Sequence, residues 1–516
     1  LPVLQLFWVN LHIYFILGPI LFAVFLVDRA INFNSFKFWD RRLFKNLKFE
    51  ILIFVLIILA NLANPNFVAG AIYPLNVLSN YGYNVVENTT LFSLSRRFGY
   101  WAPQDKISLT SFFVLATSFI ASFLKEKKGY LKTRAFDLLL ILTTISLSFK
   151  MQRNIPLFAL SLWPVMTANL AGIMNYELRI KNFEKLKKWL YAGAMLVLIT
   201  SIYLVMSGRF YNYINSAKIF GLGVSNAAQD GTDFIKENKI QGPVFNNFDI
   251  GSYLVWQLYE NPAPNCSADR HSEKGQVWCG TRVFVDGRPE AYPVEFFEEI
   301  YKPMQDDERT WQKMSEKYGI NYIFFAHIDM TEWADEFLQR INKDKNWSMV
   351  FLNDAIIIFL KNTETNKTTI EKYKITEQNI GNKLPQILEG LNPMDGNAFI
   401  DYGSILYRFH WLNESVKAFE ALIQNNPDNP YGYQGAGYAY AAMNDPATQK
   451  QAAQNLEQAI DLGLKTFNNY FTLGIINANL GNFFKAEENI KKALTINPDN
   501  RNAQQVLEVI RKKQGL

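Results

Sequence analysis

The sequence predicts three parts in order: an α-helical transmembrane bundle, a small α/β domain and an α-α repeat solenoid. Long apolar runs crowd the first two-fifths of the chain, short apolar strands alternate with helices in the middle, and glycines recur at near-constant spacing toward the end. The resulting divisions are a transmembrane region over 1–206, an extracytoplasmic α/β domain over 207–362, a linker over 363–389 and repeats over 390–516.

Average composition hides this division. The 516 residues are 49% hydrophobic and 19% charged, with a net charge of +5 and a mean hydropathy near zero, values that merge an apolar beginning with a polar remainder. The 15% aromatic content suits Trp, Tyr and Phe at membrane interfaces. The mild positive balance consists of loop lysines and calls for no nucleic-acid partner. The chain starts Leu1-Pro2-Val3 with no basic leader, so an upstream portion is expected to precede it.

Six apolar runs stand out, at 7–27, 49–63, 107–124, 136–149, 155–173 and 189–206. The last reads WLYAGAMLVLITSIYLVM, eighteen residues without a charge. At ~1.5 Å per residue it reaches across most of a ~30 Å hydrocarbon layer. Lys and Arg collect in every second link, at 29–48, 125–134 and 179–188, which assigns those links to the cytoplasm. The expectation is a multi-pass protein of a bacterial inner membrane, its soluble C-terminal half outside the cytoplasm and membrane lipids among its partners.

Polar side chains gather at the outer ends of these runs: His12, then Asn64 with Pro65, then Arg153 and Asn154. An ionisable group at such depth is costly unless paired or wetted, which makes it a functional candidate. The plain alternatives are an interhelical hydrogen bond for His12 and a headgroup contact for Arg153. On a continuous helix Asn10 and His12 face nearly opposite ways, His12 with Trp8 and Asn10 with Tyr14, so the two should not share a pocket.

In the middle part, strands are expected near 243–246, 282–286, 322–326, 348–352 and 355–360, with helices at 250–259, after Pro293, at 308–318 and at 332–342. Their alternation argues for a mainly parallel sheet. Ligands of such sheets lie beyond the carboxyl ends of the strands, which singles out Asn246, Asp286 and Arg288, with Asn247, Asp249, His327 and Asp329 nearby. The alternative for Asp286 and Arg288 is an Asp-Gly turn whose neighbouring Arg pairs locally. Cys266 and Cys279 lie in a polar insertion and could close a disulfide outside the cytoplasm. No His/Cys cluster has metal-ligand spacing, and no phosphate loop or nucleophile motif is visible.

Gly403, Gly437 and Gly474 repeat at intervals of 34 and 37 residues. Around them fall Tyr402, Phe419 and Pro427; Tyr433, Ala452 and Ala459; and Tyr470, Ala486, Ala493 and Pro498. Small residues at helix contacts and a closing proline are the marks of tetratricopeptide repeats, whose inner surface suits a protein or peptide.

The WVNLH segment, the Asn64-Pro65 helix end, RNIPLFAL from Arg153 and the VFVDGRPEAYP run resemble parts of bacterial C-type glycosyltransferases, which transfer a sugar from a polyprenyl-phosphate carrier. The resemblance covers roughly 1–300 and implies that His12, Asn64, Arg153 and Asn154 meet substrate or lipid phosphate. The family's metal- and acceptor-binding acids would lie upstream of Leu1, so no catalytic residue is assigned. No cofactor is evident here, and a divalent metal would belong to a longer chain. Ile13 stands where the family has Gly. The functional expectation is a lipid-carrier-dependent glycosyltransferase of the cell envelope carrying a protein-binding repeat domain. The alternative is a non-catalytic, membrane-anchored repeat scaffold.

Overall fold

In the computed structural model the first apolar run is two helices rather than one. α1 (Pro2–Leu11) ends where His12 takes an extended backbone, φ −158° and ψ 138°, and a 3-10 turn (Ile13–Ile16) leads into α2 (Leu17–Phe33). The structure describes residues 1–33, 41–76, 82–83, 88–90, 103–126, 130–177, 183–210, 226–258, 283–329, 331–391 and 396–515. The cysteine pair Cys266 and Cys279 lies outside the described residues. The chain divides into two units, Leu1–Ser201 and Ile202–Leu516.

The first unit continues with α3 (Arg41–Ala60), α4 (Phe67–Asn76), α5 (Pro103–Glu126), α6 (Tyr130–Lys150), α7 (Ile155–Glu177) and most of α8 (Phe183–Met206). Among the described residues no helix is long and apolar enough to cross a membrane. That finding corrects the expected transmembrane bundle and the expected multi-pass placement in an inner membrane. Two physical reasons are visible in the elements. His12 cuts the first run, and α3 opens with RRLFKNLKFE, which leaves 51–60 as its charge-free part. Leu115, Ile141, Phe158, Leu162 and Val165 form an apolar cluster shared by α5, α6 and α7. Side chains such as Leu52 and Val55 on α3 and Leu196 and Ile199 on α8 stay exposed.

The second unit builds α9 (Asn226–Glu237), β1 (Val244–Asn246), α10 (Phe248–Leu258), α11 (Lys302–Asp306), α12 (Glu308–Lys317), β2 (Tyr322–Ala326), α13 (Glu332–Lys343), β3 (Trp347–Leu352) and β4 (Ile356–Lys361). The sheet order is β1-β2-β4-β3. β1 and β2 run parallel, Val244 opposite Tyr322, whereas β4 is antiparallel to both neighbours. The expected mainly parallel sheet is therefore mixed. Residues 353–355 alone join β3 to β4, and so short a link closes only an antiparallel hairpin. Residues 283–286 form no strand.

Both faces of the sheet are covered, which explains why its strands read as unbroken apolar runs. Tyr322, Phe324, Ile356 and Ile358 pack with Ile235 and Leu254 of α9 and α10. On the other face Phe245 meets Trp311 and Phe337 at ring separations of 5.0 and 5.2 Å.

The stretch expected as a linker contains two helices, α14 (Lys367–Tyr373) and α15 (Glu377–Gly390). Thr376 and Asn379 form a capping box at the start of α15. Beyond it come α16 (Gly396–Arg408), α17 (Leu412–Asn425), α18 (Pro430–Ala442), α19 (Pro446–Asp461), α20 (Phe467–Asn479), α21 (Phe483–Ile496) and α22 (Arg501–Gln514). Each of the first three pairs closes on its signature glycine. A Cβ at Gly403, Gly437 or Gly474 would lie 2.8 Å from Phe419, 2.8 Å from Leu456 or 2.5 Å from Ile490. Only a bare backbone lets the paired helices approach this far.

Candidate functional site

In the first unit, the break after α1 opens a cleft of about 480 Å³ lined by Asn10, His12, Asn64, Asn66 and Tyr73 among others. Because the helix stops at Leu11, the argument from opposite helical faces does not apply, and Asn10 and His12 line the same space. The Nδ1 of His12 accepts from the Tyr14 amide at 3.2 Å, which leaves the ring proton on Nε2. Asn64 shapes the wall. Its amide donates to the carbonyls of Asn61 and Phe67, and its Oδ1 accepts from the Asn66 amide. Asn10 donates to the Ala63 carbonyl at 2.8 Å and so ties α1 to the same loop.

The other two residues expected at this site are joined through Tyr14. Its hydroxyl donates to Asn154 Oδ1 at 2.7 Å, and the Arg153 guanidinium lies 5.7 Å from its ring centre. Arg153 also donates to Asn88 Oδ1 at 3.0 Å. Gln5, not singled out in the sequence, is buried and donates to the Phe15 carbonyl and to Asn61 Oδ1, clamping α1 to the turn and to the end of α3. A lone amide among apolar neighbours is the signal the sequence offers for it.

At the carboxyl ends of β1 and β2 the polar side chains are occupied with nearby backbone groups and with one another. Asn246 behaves as an inserted peptide group: its Oδ1 accepts from the Phe284 amide and its Nδ2 donates to the Val285 carbonyl, both at 2.8 Å. Residues 283–286 are thereby held beside β1 without a ladder of their own. Gly251 permits the approach, since a Cβ there would collide with the Val285 carbonyl. Asn247 does the equivalent for β2, accepting from the Ala326 amide at 2.9 Å and donating to Asp329.

Asp286 accepts from the Arg288 side chain at 3.0 and 2.5 Å and from the Arg288 amide at 3.1 Å. Burial pushes this carboxyl up, but the Arg288 hydrogen bonds and charge outweigh it and hold it below the usual carboxylate range. His327 is fully enclosed, and its Nε2 donates to the Asn353 carbonyl at 2.8 Å. Burial and the nearby Arg408 charge lower it to about 4, outweighing the backbone hydrogen bonds, to Asn353 and within His327 itself, that favour its charged form. Among the described residues no group of His, Cys, Asp and Glu could hold a metal ion.

In the repeats, α16, α18, α20 and α22 lie side by side along one face. Two of them are cross-linked there: Gln434 Nε2 and the Tyr438 hydroxyl both donate to Asn469 Oδ1, at 2.8 and 2.6 Å, while Asn469 Nδ2 donates to the Leu464 carbonyl. Burial raises the Tyr438 hydroxyl to about 12. Tyr407, 38% exposed, stands near it on α16.

No family model matches the chain, and no curated protein matches it. The resemblance to lipid-carrier glycosyltransferases therefore gains no support. The chain is similar to the solved structure of the first TPR of Spaghetti (RPAP3) bound to HSP90 peptide SRMEEVD, with 16% identity, 24% of this chain and 98% of that chain covered, and a TM-score of 0.23. It is similar to the MamA protein with 19% identity, 30% and 79% covered, and a TM-score of 0.24. It is also similar to YrrB, a TPR protein with an unusual peptide-binding site, with 17% identity, 26% and 66% covered, and a TM-score of 0.23. Helix pairs closed on glycines and stacked with their first helices adjacent make the C-terminal part of this chain a tetratricopeptide-repeat fold.

Proposed function

We propose that the chain is a scaffold that binds another protein through its repeats, with the α/β domain as their fixed base. The observation that supports this is the continuous face formed by the first helices, where Gln434 and Tyr438 of α18 are tied to the buried Asn469 of α20. A face of this kind suits a peptide or a partner helix. The test places a photoreactive benzoylphenylalanine at Tyr438 or, as a control, at the exposed Lys450 of α19 in the full chain. A protein adduct from position 438 and none from 450 is expected; equal yields from both, or none from either, overturn the reading.

The cleft at His12 favours a second reading, that the first unit takes a small polar molecule. Its lining combines an imidazole donor with asparagines and a tyrosine. The phosphate-linked sugar implied by the sequence resemblance is the specific candidate; Arg153 and Asn154 meet Tyr14, two residues from His12, and are not among the residues lining the cleft. Calorimetric titration with geranyl phosphate should give binding that His12→Ala removes. An identical response from both proteins would exclude it.

A further inference from the structure

The placement of charge narrows what the repeats can hold, an inference that rests on reading them as a protein-binding surface. Neither α18 nor α20 contains a charged residue, and α16 contributes only Asp401 and Arg408. Arg408 is committed elsewhere: its Nε pairs with Asp335, and its Nη1 donates to the His327 carbonyl at 2.9 Å. Asp401 lies close enough to act on that same guanidinium.

The second helices and the closing helix α22 carry the charge, and several of the second-helix charges are paired on site. Lys417 meets Glu414, Lys485 meets Glu457, Lys492 meets Glu488, and both Lys491 and Arg511 of α22 meet Glu487. One face of the solenoid is thus ionic, and the face of the first three leading helices is neutral.

A neutral face lacks the guanidinium or ammonium groups that hold a carboxylate-ended or phosphorylated peptide. It also lacks the acidic field that would draw a basic one. Buried Asn469 spends its amide in fixing Gln434 and Tyr438 and in bonding the Leu464 carbonyl. What the exposed Tyr407 and the half-buried Gln434 and Tyr438 offer is polar edges that match peptide N–H and C=O, beside flat rings that cover apolar side chains. We propose that the face lined by α16, α18 and α20 docks an extended, uncharged segment of a partner protein, rich in apolar and amide side chains.

The test selects random displayed peptides of about sixteen residues against the immobilised full chain, then measures the winners by fluorescence anisotropy between about 50 mM and about 500 mM salt. Selected sequences should be depleted of Asp, Glu, Lys and Arg, and their affinity should change less than about twofold over that range. Gln434→Ala with Tyr438→Ala should weaken binding at least about tenfold, and Tyr438→Phe, which removes one hydroxyl and keeps the ring, about threefold. Lys450→Ala should leave it unchanged. Enrichment of acidic or basic peptides whose binding falls steeply with salt, or indifference of binding to the Tyr438 changes, overturns this inference while leaving protein binding in place. If no peptide is enriched, the protein-binding reading fails and this inference fails with it.

Discussion

Arg408 Nη1 donates to the main-chain carbonyl of His327 across 2.9 Å, joining the leading helix of the first repeat to the loop after β2. The same guanidinium pairs through Nε with Asp335 of α13.

Removing that charge should loosen the junction. Arg408 is 19% exposed and Asp335 47%, so the two partners are not equivalent. Arg408→Met leaves the His327 carbonyl without its donor and should lower unfolding stability by about 1–3 kcal/mol. Asp335→Asn, at a position open to solvent, should cost less than about 1 kcal/mol. Chemical denaturation of the full chain measures both. Equal losses would show that the carbonyl contact contributes nothing of its own.

His327 predicts a dependence of stability on acid. Its folded value is lowered from 6.5 to about 4, so between those pH values the unfolded chain binds the proton that the folded chain refuses. Stability is fully present above about pH 6.5 and is lost as pH falls toward 4, by at most about 3 kcal/mol. His327→Gln keeps a donor for the Asn353 carbonyl without a titrating ring. Its denaturation midpoint should vary less over that interval than that of the native protein; parallel profiles would refute the assignment.

The ring of Phe419 lies between Gly403 and Gly435, and a Cβ at Gly435 would collide with it. Gly435→Ala should therefore destabilise the repeats by about 1–3 kcal/mol, despite the better helix propensity of alanine. Pairing it with Phe419→Leu should recover part of the loss. Thermal melts tracked by circular dichroism would expose an error if the single change raised the midpoint.

Asn246→Ala should free the segment it holds. With the amide gone, the Phe284 N–H and Val285 carbonyl lose their partners, at a cost of about 1–3 kcal/mol. Hydrogen exchange at 283–286 should accelerate while that of β2 stays slow. Unchanged protection at Phe284 would count against the role given to this side chain.

The repeats are legible in the sequence because their signal is steric and local: a glycine sits where a helix must touch its partner, and the spacing of Gly403, Gly437 and Gly474 is visible in the chain itself. The sheet is half legible. Composition marks its strands, but their direction depends on the length of each connection, and the three-residue link at 353–355 outweighs the alternation of strands and helices. Asn246 stands out as a polar group at a strand end; its actual partners are backbone groups almost forty positions away, as no motif encodes. Helical periodicity misplaces Asn10 relative to His12, because it carries the helix through a residue whose extended φ and ψ end it.

Helices α14 and α15 fill the chain between the sheet and the repeats, one against β3 and the other against α17. A free leash would fix nothing about the path between sheet and repeats; two helices, each packed on one of them, commit most of that length to folded structure.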